Sequence, residues 1–264
     1  MKLKTRLTIF FRSMLLQAGW NYLRFQGFGF AFTMLPFLKK LYKGKTLDIV
    51  VLRYMETFNT QPVMAGFCFG ALAKAEEDVL LAPAKKTEWR VVKTFLSSSL
   101  ASIGDRLFWD TLRPLSLAFG TFITYLLVRD LPDFDMVRCS WLTGIFLILA
   151  VLVSYNSVAF YIKWKGIGAG YAGSRGNTFG LLGFNWNKII KTFRIIGLAL
   201  TAALIILVFC DIFVLYSFSP QFLVFCGMIL LIFVVSGFAY KYDIPNVYIY
   251  LMVCLILSVV MYII

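Results

Sequence analysis

Five side chains near the start of the chain have the chemistry to bind a sugar. They lie in a segment, residues 12–42, that is otherwise as apolar as a membrane helix: Gln17, Trp20, Asn21, Arg24 and Gln26. Amide groups donate to and accept from hydroxyl groups, and an indole offers a flat surface to the C–H face of a sugar ring. Because an unpaired polar group is costly in hydrocarbon, these side chains must face protein, water or a ligand.

The spacing of three of these residues predicts a helix. Gln17, Asn21 and Arg24 fall at positions i, i+4 and i+7, which share one helical face. Two interpretations follow from the residues alone. The polar face binds a sugar, or it meets other helices inside a bundle.

Two more stretches mix polar and apolar residues. The run F-N-T-Q-P, residues 58–62, predicts a break in the backbone and adds the amides Asn59 and Gln61. The run S-I-G-D-R-L-F-W-D, residues 102–110, lies between apolar runs that are too short to span a membrane. It predicts a re-entrant helical hairpin with its tip near Asp105 and compensating ion pairs among Asp105, Arg106, Asp110 and Arg113. An amphipathic hairpin on the protein surface is the alternative.

The composition is that of an integral membrane protein. The 264 residues are 60% hydrophobic and 15% charged, with a mean hydropathy of +0.81, too apolar for a soluble surface. The net charge of +13 comes from Lys and Arg, which border apolar runs. They therefore indicate membrane anchoring, and no nucleic-acid partner is expected. The chain has no histidine, and its five cysteines show no C-x-x-C spacing. We expect no catalytic residue, metal site or cofactor.

The expected fold class is an all-α integral membrane protein. It has an N-terminal amphipathic helix, the re-entrant hairpin and about four C-terminal transmembrane helices. The spans are predicted from apolar runs of about 20 residues: Trp141–Ile162, Ile195–Tyr216, Gln221–Tyr240 and Val247–Ile264. We divide the chain into an N-terminal amphipathic and re-entrant region, residues 1–128, and a transmembrane region, residues 129–264.

Charge and glycine patterns add two expectations. The segment Lys163–Arg194 carries six basic residues and no acid, so the positive-inside rule places it and the N-terminus in the cytoplasm and the C-terminus outside. Its glycine-rich part, residues 166–176, resembles a phosphate loop only weakly because it lacks G-K-[ST]. In residues 63–75, Gly66 and Gly70 have the G-x-x-x-G spacing that permits close helix packing.

Several motifs occur in a fixed order over residues 12–175. They resemble the enzyme IID subunit of the mannose/fructose/sorbose family of bacterial sugar phosphotransferase systems. The motifs are R-S-x-x-x-Q-x-x-W-N-Y-x-R-x-Q at 12–26, P-x-x-x-x-L-Y at 36–42, F-N-T-Q-P at 58–62, E-E at 76–77 and I-G-D-x-x-F-W-x-T-x-R-P at 103–114.

The resemblance implies a transporter subunit in the bacterial cytoplasmic (inner) membrane, multi-pass, and not an enzyme. It implies pairing with a IIC membrane subunit and a higher oligomer of that pair. The pair moves a hexose inward, and separate IIA and IIB proteins phosphorylate it. The residues expected to line or directly support the hexose site are Trp20, Asn21, Gln26, Asn59, Gln61 and Asp105. Those expected to support the structure or the partner contact are Gln17, Arg24 and Arg113.

Three departures from the family pattern keep an alternative open. Leu23 stands where family members usually carry an acid, Ser98–Ser102 replaces G-P-L-A-G, and Arg106 replaces a small residue or proline. The alternative is a membrane scaffold, receptor or regulator that has the IID fold and does not transport. An unrelated lipid-modifying enzyme is a third hypothesis, which the absence of a nucleophile–base pair disfavours.

Overall fold

The regular structure of the described residues is helical throughout. The computed structural model describes residues 1–81, 88–129, 136–173 and 175–216, together with residue 227. Three of its helical segments are long and apolar enough to cross a membrane: Trp89–Arg129, Trp141–Ala172 and Phe179–Asp211. The predicted class, an all-α membrane protein, is therefore confirmed.

The N-terminal region consists of short helices. They are α1 (Leu3–Arg12), a 3-10 turn (Ser13–Leu15), α2 (Gly27–Leu41) and α3 (Gly44–Tyr54). The helix that we predicted through residues 17–26 is wrong, because turns and an isolated bridge between Asn21 and Phe25 occupy this segment. Gln17, Asn21 and Arg24 therefore do not share a helical face. The Asn21 side chain bonds to the backbone of its own turn, and such bonds compete with helix formation.

Helix α4 (Ala65–Leu81) packs closely against α7 (Met136–Ala172). Glycines on both helices permit the contact, as the Gly66–Gly70 spacing predicted. A Cβ atom at Gly66 would lie 2.5 Å from the Lys163 carbonyl oxygen. A Cβ atom at Gly70 would lie 2.6 Å from the Tyr171 nitrogen and would overlap the Ile167 oxygen. The glycine-rich part is instead helical up to Ala172. Its Gly166 and Gly170 meet α4, whereas Gly168 meets Arg6 of α1.

We expect Gly70→Ala to lower the melting temperature of the detergent-solubilised protein by several degrees. The added methyl meets backbone atoms, which no rotamer change can relieve, and such overpacking costs about 1–3 kcal/mol. The matched control is Gly144→Ala in α7, where a Cβ atom meets nothing within 4 Å. That change should leave stability unchanged or raise it, because alanine favours helix. Equal melting temperatures for the two variants would contradict this packing.

The hairpin predicted near Asp105 is also wrong. Helix α5 (Glu88–Gly104) continues through a π-helical segment (Asp105–Leu112) into α6 (Arg113–Arg129), so the chain does not turn. Within the π segment the Thr111 hydroxyl donates to the Arg106 carbonyl oxygen, five residues earlier, at 2.8 Å. Gly104 is not a tip: a Cβ atom there would lie 2.7 Å from Gln61 Cγ, so the glycine admits a neighbouring side chain.

Two of the four predicted C-terminal spans lie within described helices. The run 141–162 is part of α7, and the run 195–216 is part of α8 (Trp186–Tyr216). A 3-10 helix, Arg175–Gly183, precedes α8, so the segment 163–194 is mostly helical rather than a long loop. The runs 221–240 and 247–264 lie outside the described residues.

The chain forms two compact units. The first is Met1–Thr201, and the second begins at Ala202. All the residues of the candidate site lie in the first unit. The division at residue 128, which we based on motifs and apolar runs, stays a prediction.

Candidate functional site

The segment 20–26 forms a tight turn whose shape depends on Asn21. The Phe25 nitrogen donates to the Asn21 carbonyl oxygen at 2.7 Å. The Asn21 side-chain oxygen accepts from the backbone nitrogens of Leu23 at 3.2 Å and Arg24 at 3.0 Å. Phe25 has a φ of 49°, in the left-handed region that is unfavourable for an aromatic residue. Such backbone strain is common at functional sites.

Gln26 joins this turn to the F-N-T-Q-P segment. Its side chain is 2% exposed. The amide nitrogen donates to the Thr60 carbonyl oxygen at 2.8 Å, and the amide oxygen accepts from the Thr60 nitrogen at 3.1 Å. The Gln26 backbone nitrogen donates to the Phe58 oxygen at 2.8 Å. Gln26 is thus a buried clamp that positions its neighbours.

Gln61 performs a similar task at the start of α4. Its side-chain oxygen accepts from the backbone nitrogens of Val63 at 2.7 Å and Met64 at 2.9 Å. Its Cβ and Cγ atoms pack on Gly104. The neighbouring Thr60 hydroxyl donates to the Ser97 carbonyl oxygen of α5 at 2.9 Å. The three polar stretches found in the sequence therefore meet at one place in the fold.

Three of the predicted site residues remain open at this junction. Asn59 and Asp105 are exposed, and within the described part of the chain neither side chain has a hydrogen-bond partner. Trp20 is 45% exposed, with its ring centroid 4.9 Å from that of Tyr22. An amide, a carboxylate and an indole are thus available to a ligand.

The three residues expected to give support are exposed, and of these Arg24 takes part in the turn through its backbone. Gln17 is in the turn after the first 3-10 helix. The Arg24 guanidinium lies 5.7 Å from the Phe28 ring, and that of Arg113 lies 5.4 Å from the Trp109 ring. The ion pairs predicted among the charges of residues 105–113 are not formed between described residues, so these charges remain available to solvent or a partner.

A cavity of about 400 Å³ adjoins this junction beside Ile103. Its other walls include the amides of Asn185 and Asn187 and the rings of Phe184 and Trp186. Sequence reasoning missed these residues, because they lie far along the chain from the motif at 103–114. Amides beside aromatic rings are again the side chains that suit a sugar.

Sequence reasoning also missed a buried charged cluster around Glu76. Glu76 is fully buried and accepts hydrogen bonds from Tyr42 at 2.7 Å, Tyr54 at 3.0 Å and Arg53. Trp89 in turn donates to the Tyr54 hydroxyl at 3.1 Å. Burial and the Glu76 carboxylate raise the pKa of both tyrosines, so their hydroxyls stay protonated and donate. Only the E-E motif and the tyrosine of P-x-x-x-x-L-Y signalled this cluster.

A buried lysine links this cluster to the F-N-T-Q-P segment. Lys93 is 6% exposed, and its ammonium lies 5.2 Å from the Trp89 ring and 5.7 Å from the Phe30 ring. It donates to the Glu56 carbonyl oxygen at 3.4 Å. The Phe30 ring stacks on Phe58 at 4.1 Å. Lys93 and Phe30 therefore connect the Glu76 cluster to the junction.

Comparisons with known proteins agree with the arrangement of motifs. The family model of the PTS system mannose/fructose/sorbose family IID component matches residues 1–126. The match covers slightly less than half of the 264 residues. The matched part contains the turn, the clamp and the Glu76 cluster.

Two relatives illustrate the similarity. The mannose-specific EIID component of Escherichia coli K12 is 36% identical over 118 residues, which are 44% of this chain and 42% of that protein. The chain's match thus spans less than half of that relative. The fructose permease IID component of Bacillus subtilis is 28% identical over 202 residues, covering 75% of this chain and 67% of that protein.

A solved structure shares the fold beyond residues 1–126. A chain in a cryoEM structure of the mannose transporter ManYZ with microcin E492 superposes with a TM-score of 0.54. It is 21% identical in sequence and covers 99% of this chain and 96% of that one. At this identity the likeness shows the fold alone.

The departures from the IID pattern surround the site. Leu23 is 87% exposed at the tip of the turn. Arg106 is exposed in the π segment, next to Asp105. The serines of Ser98–Ser102 lie on α5 between the Thr60 contact and Gly104. All three departures thus involve exposed positions, whereas the clamp is buried.

Proposed function

We propose that the chain is the IID-like membrane subunit of a mannose-family phosphotransferase sugar transporter. With a IIC subunit it forms the translocation path for a hexose, which separate IIA and IIB proteins phosphorylate. The observation that carries this proposal is the Gln26–Thr60 clamp. It joins the turn to the F-N-T-Q-P segment, which in turn contacts α5 through Thr60 and Gln61. Asn59 and Asp105, which follow Phe58 and Gly104 in the chain, are exposed.

In the proposed mechanism, protein side chains replace the water molecules that hydrogen-bond to the sugar. A hexose that leaves water must recover its hydroxyl hydrogen bonds, each costing roughly 1–3 kcal/mol if lost. Asn59 and Asp105 offer these bonds, and Trp20 offers a stacking surface. Asn21, Gln26 and Gln61 act as positioning residues, since their side chains bond to backbone groups.

The subunit is proposed to carry no phosphoryl group. The chain contains no histidine, which is the residue that the resemblance assigns to phosphoryl transfer in the IIA and IIB proteins. Phosphorylation of the sugar would then occur on a partner. The chain's own role is to hold and release the hexose.

Pairing with IIC can be tested by co-purification. Tyr22 and Leu23 are 86% and 87% exposed at the tip of the turn, and they offer an apolar contact to a partner. We expect a tagged chain to retain a mannose-family IIC subunit through affinity and size-exclusion steps in mild detergent. An unrelated multi-pass protein with the same tag serves as the control. The proposal of pairing would be rejected if IIC eluted alone in both cases.

The main alternative is a scaffold, receptor or regulator that does not transport. The exposed departures at Leu23, Ser98–Ser102 and Arg106 favour it, because they lie at the rim where a sugar or partner would enter. Adjacent IIA, IIB and IIC genes would favour the transporter, whereas an isolated gene would favour the alternative.

The proposed location is the bacterial inner membrane, with a cytoplasmic N-terminus and multiple passes. The support is the excess of basic residues in the segment 163–194. Reporter fusions should place residue 183 in the cytoplasm and the C-terminus outside. If both fusion points reported the same side, this topology would be wrong.

A further inference from the structure

A second cavity, of about 600 Å³, lies between α7 and the start of α8. We propose that it binds an anionic phospholipid, with an acyl chain in the groove and the headgroup at Lys165 and Lys188. The groove shares the Phe184–Trp186 wall with the smaller cavity but is otherwise lined by different residues. They are Ser157, Val158, Tyr161, Ile162, Lys188, Ile189, Thr192 and Phe193.

The walls of the groove suit an apolar acyl chain held in one position. The Phe184 and Trp186 rings stack at 5.0 Å, and the buried Phe67 ring of α4 lies edge-on to both at 5.8 Å. The Trp186 indole nitrogen donates to the Leu181 carbonyl oxygen at 3.0 Å. One wall is therefore held by ring packing and by the hydrogen bond of the indole. The volume falls within the range of about 300–1,000 Å³ that is usual for ligand sites.

The mouth of the groove is positively charged. Lys188 lines it, and the Lys165 ammonium lies 5.7 Å from the ring of Tyr161, another lining residue. Among the described residues neither ammonium has a carboxylate partner. The segment 163–194 contains no acid at all. An anionic group is the complement to this mouth, and basic pockets between membrane helices are known binding sites for anionic headgroups.

The position along α7 places the mouth at headgroup level. Lys165 lies 24 residues after Trp141, or about 36 Å along the helix at ~1.5 Å per residue. This exceeds the hydrocarbon thickness of ~30 Å. If Trp141 marks one interface, Lys165 lies in the other headgroup layer, and the groove below it lies in the acyl layer.

Native mass spectrometry of the full chain in detergent tests the proposal. The protein is mixed with equal amounts of phosphatidylglycerol and phosphatidylcholine. We expect the wild type to retain phosphatidylglycerol preferentially. The Lys165→Gln and Lys188→Gln changes should each reduce this preference about fivefold, the ratio equivalent to ~1 kcal/mol. Lys43→Gln with Lys45→Gln, which removes two exposed charges elsewhere, should leave the preference unchanged.

A groove-filling variant separates the apolar groove from the charged mouth. Ser157→Phe should reduce retention of phosphatidylglycerol although both lysines remain. Equal retention of the two lipids by the wild type would overturn the proposal. So would an unchanged preference in the lysine variants, or loss of all bound lipid when IIC is co-purified, which would make the groove a protein interface.

Discussion

Glu76→Gln is expected to lower the free energy of unfolding by about 3–5 kcal/mol, the usual cost of breaking a buried ion pair from one side. Glutamine keeps the size of the side chain but leaves Arg53 without a carboxylate, and the Arg53 side chain is only 17% exposed. The hydroxyls of Tyr42 and Tyr54 would also lose a charged acceptor. The melting temperature of the detergent-purified protein should fall by roughly 10 °C, since ~1 kcal/mol corresponds to ~2–4 °C for a chain of this size.

The control for this variant is Asp78→Asn on the same helix. Asp78 pairs with Lys74 at 2.9 Å, but the two side chains are 36% and 42% exposed. Exposed pairs contribute about 0–1 kcal/mol, so the melting temperature should change little. If Glu76→Gln changed the melting temperature as little as Asp78→Asn, the Glu76 cluster would not support the fold.

The membrane helices could be predicted because their signal is local. Each apolar run of about 20 residues specifies a helix by length and composition, and α7 and α8 contain two such runs. The Gly66–Gly70 spacing also predicted a close contact correctly, since small residues on one helix face permit it. The partner helix, however, was not evident from spacing.

The structure around the site could not be predicted by periodicity. The spacing of Gln17, Asn21 and Arg24 fits a helix, but the bonds from the Asn21 side chain to its own turn favour a tight turn. The short apolar runs beside residues 102–110 suggested a hairpin, whereas the segment is helical throughout and Gly104 admits Gln61. In both cases the local sequence alone was used, although the structure depends on contacts that the local spacing does not show.

The Glu76 cluster was missed for a related reason. Its members are scattered over residues 42–93, on three helices and just after the end of α2, and no spacing in the sequence connects Arg53 or Trp89 with Glu76. A run of acids near lysines usually indicates a solvated helix end. Only the fold shows that Glu76 is buried while its neighbours Glu77 and Asp78 are partly exposed.

Replacing an open site residue should impair uptake without impairing assembly. Asp105→Ala and Asn59→Ala each delete hydrogen-bonding capacity that no described residue uses. Uptake should fall about tenfold for each ~1.4 kcal/mol of transition-state binding lost. Gln26→Leu should instead lower both assembly and uptake, because it leaves the buried backbone groups of Thr60 unpaired. Asp48→Ala, an exposed carboxylate on α3, is the matched control.

The decisive measurement is hexose uptake by cells that express the chain with a mannose-family IIC subunit and IIA and IIB proteins. Co-purification of IIC is measured on the same cells. We predict uptake that requires the wild-type chain, persists in Asp48→Ala and falls at least tenfold in Asp105→Ala while IIC still co-purifies. A wild-type chain that assembles with IIC but supports no uptake of any hexose would contradict the transporter account. An Asp105→Ala variant that transports normally would contradict the proposed site.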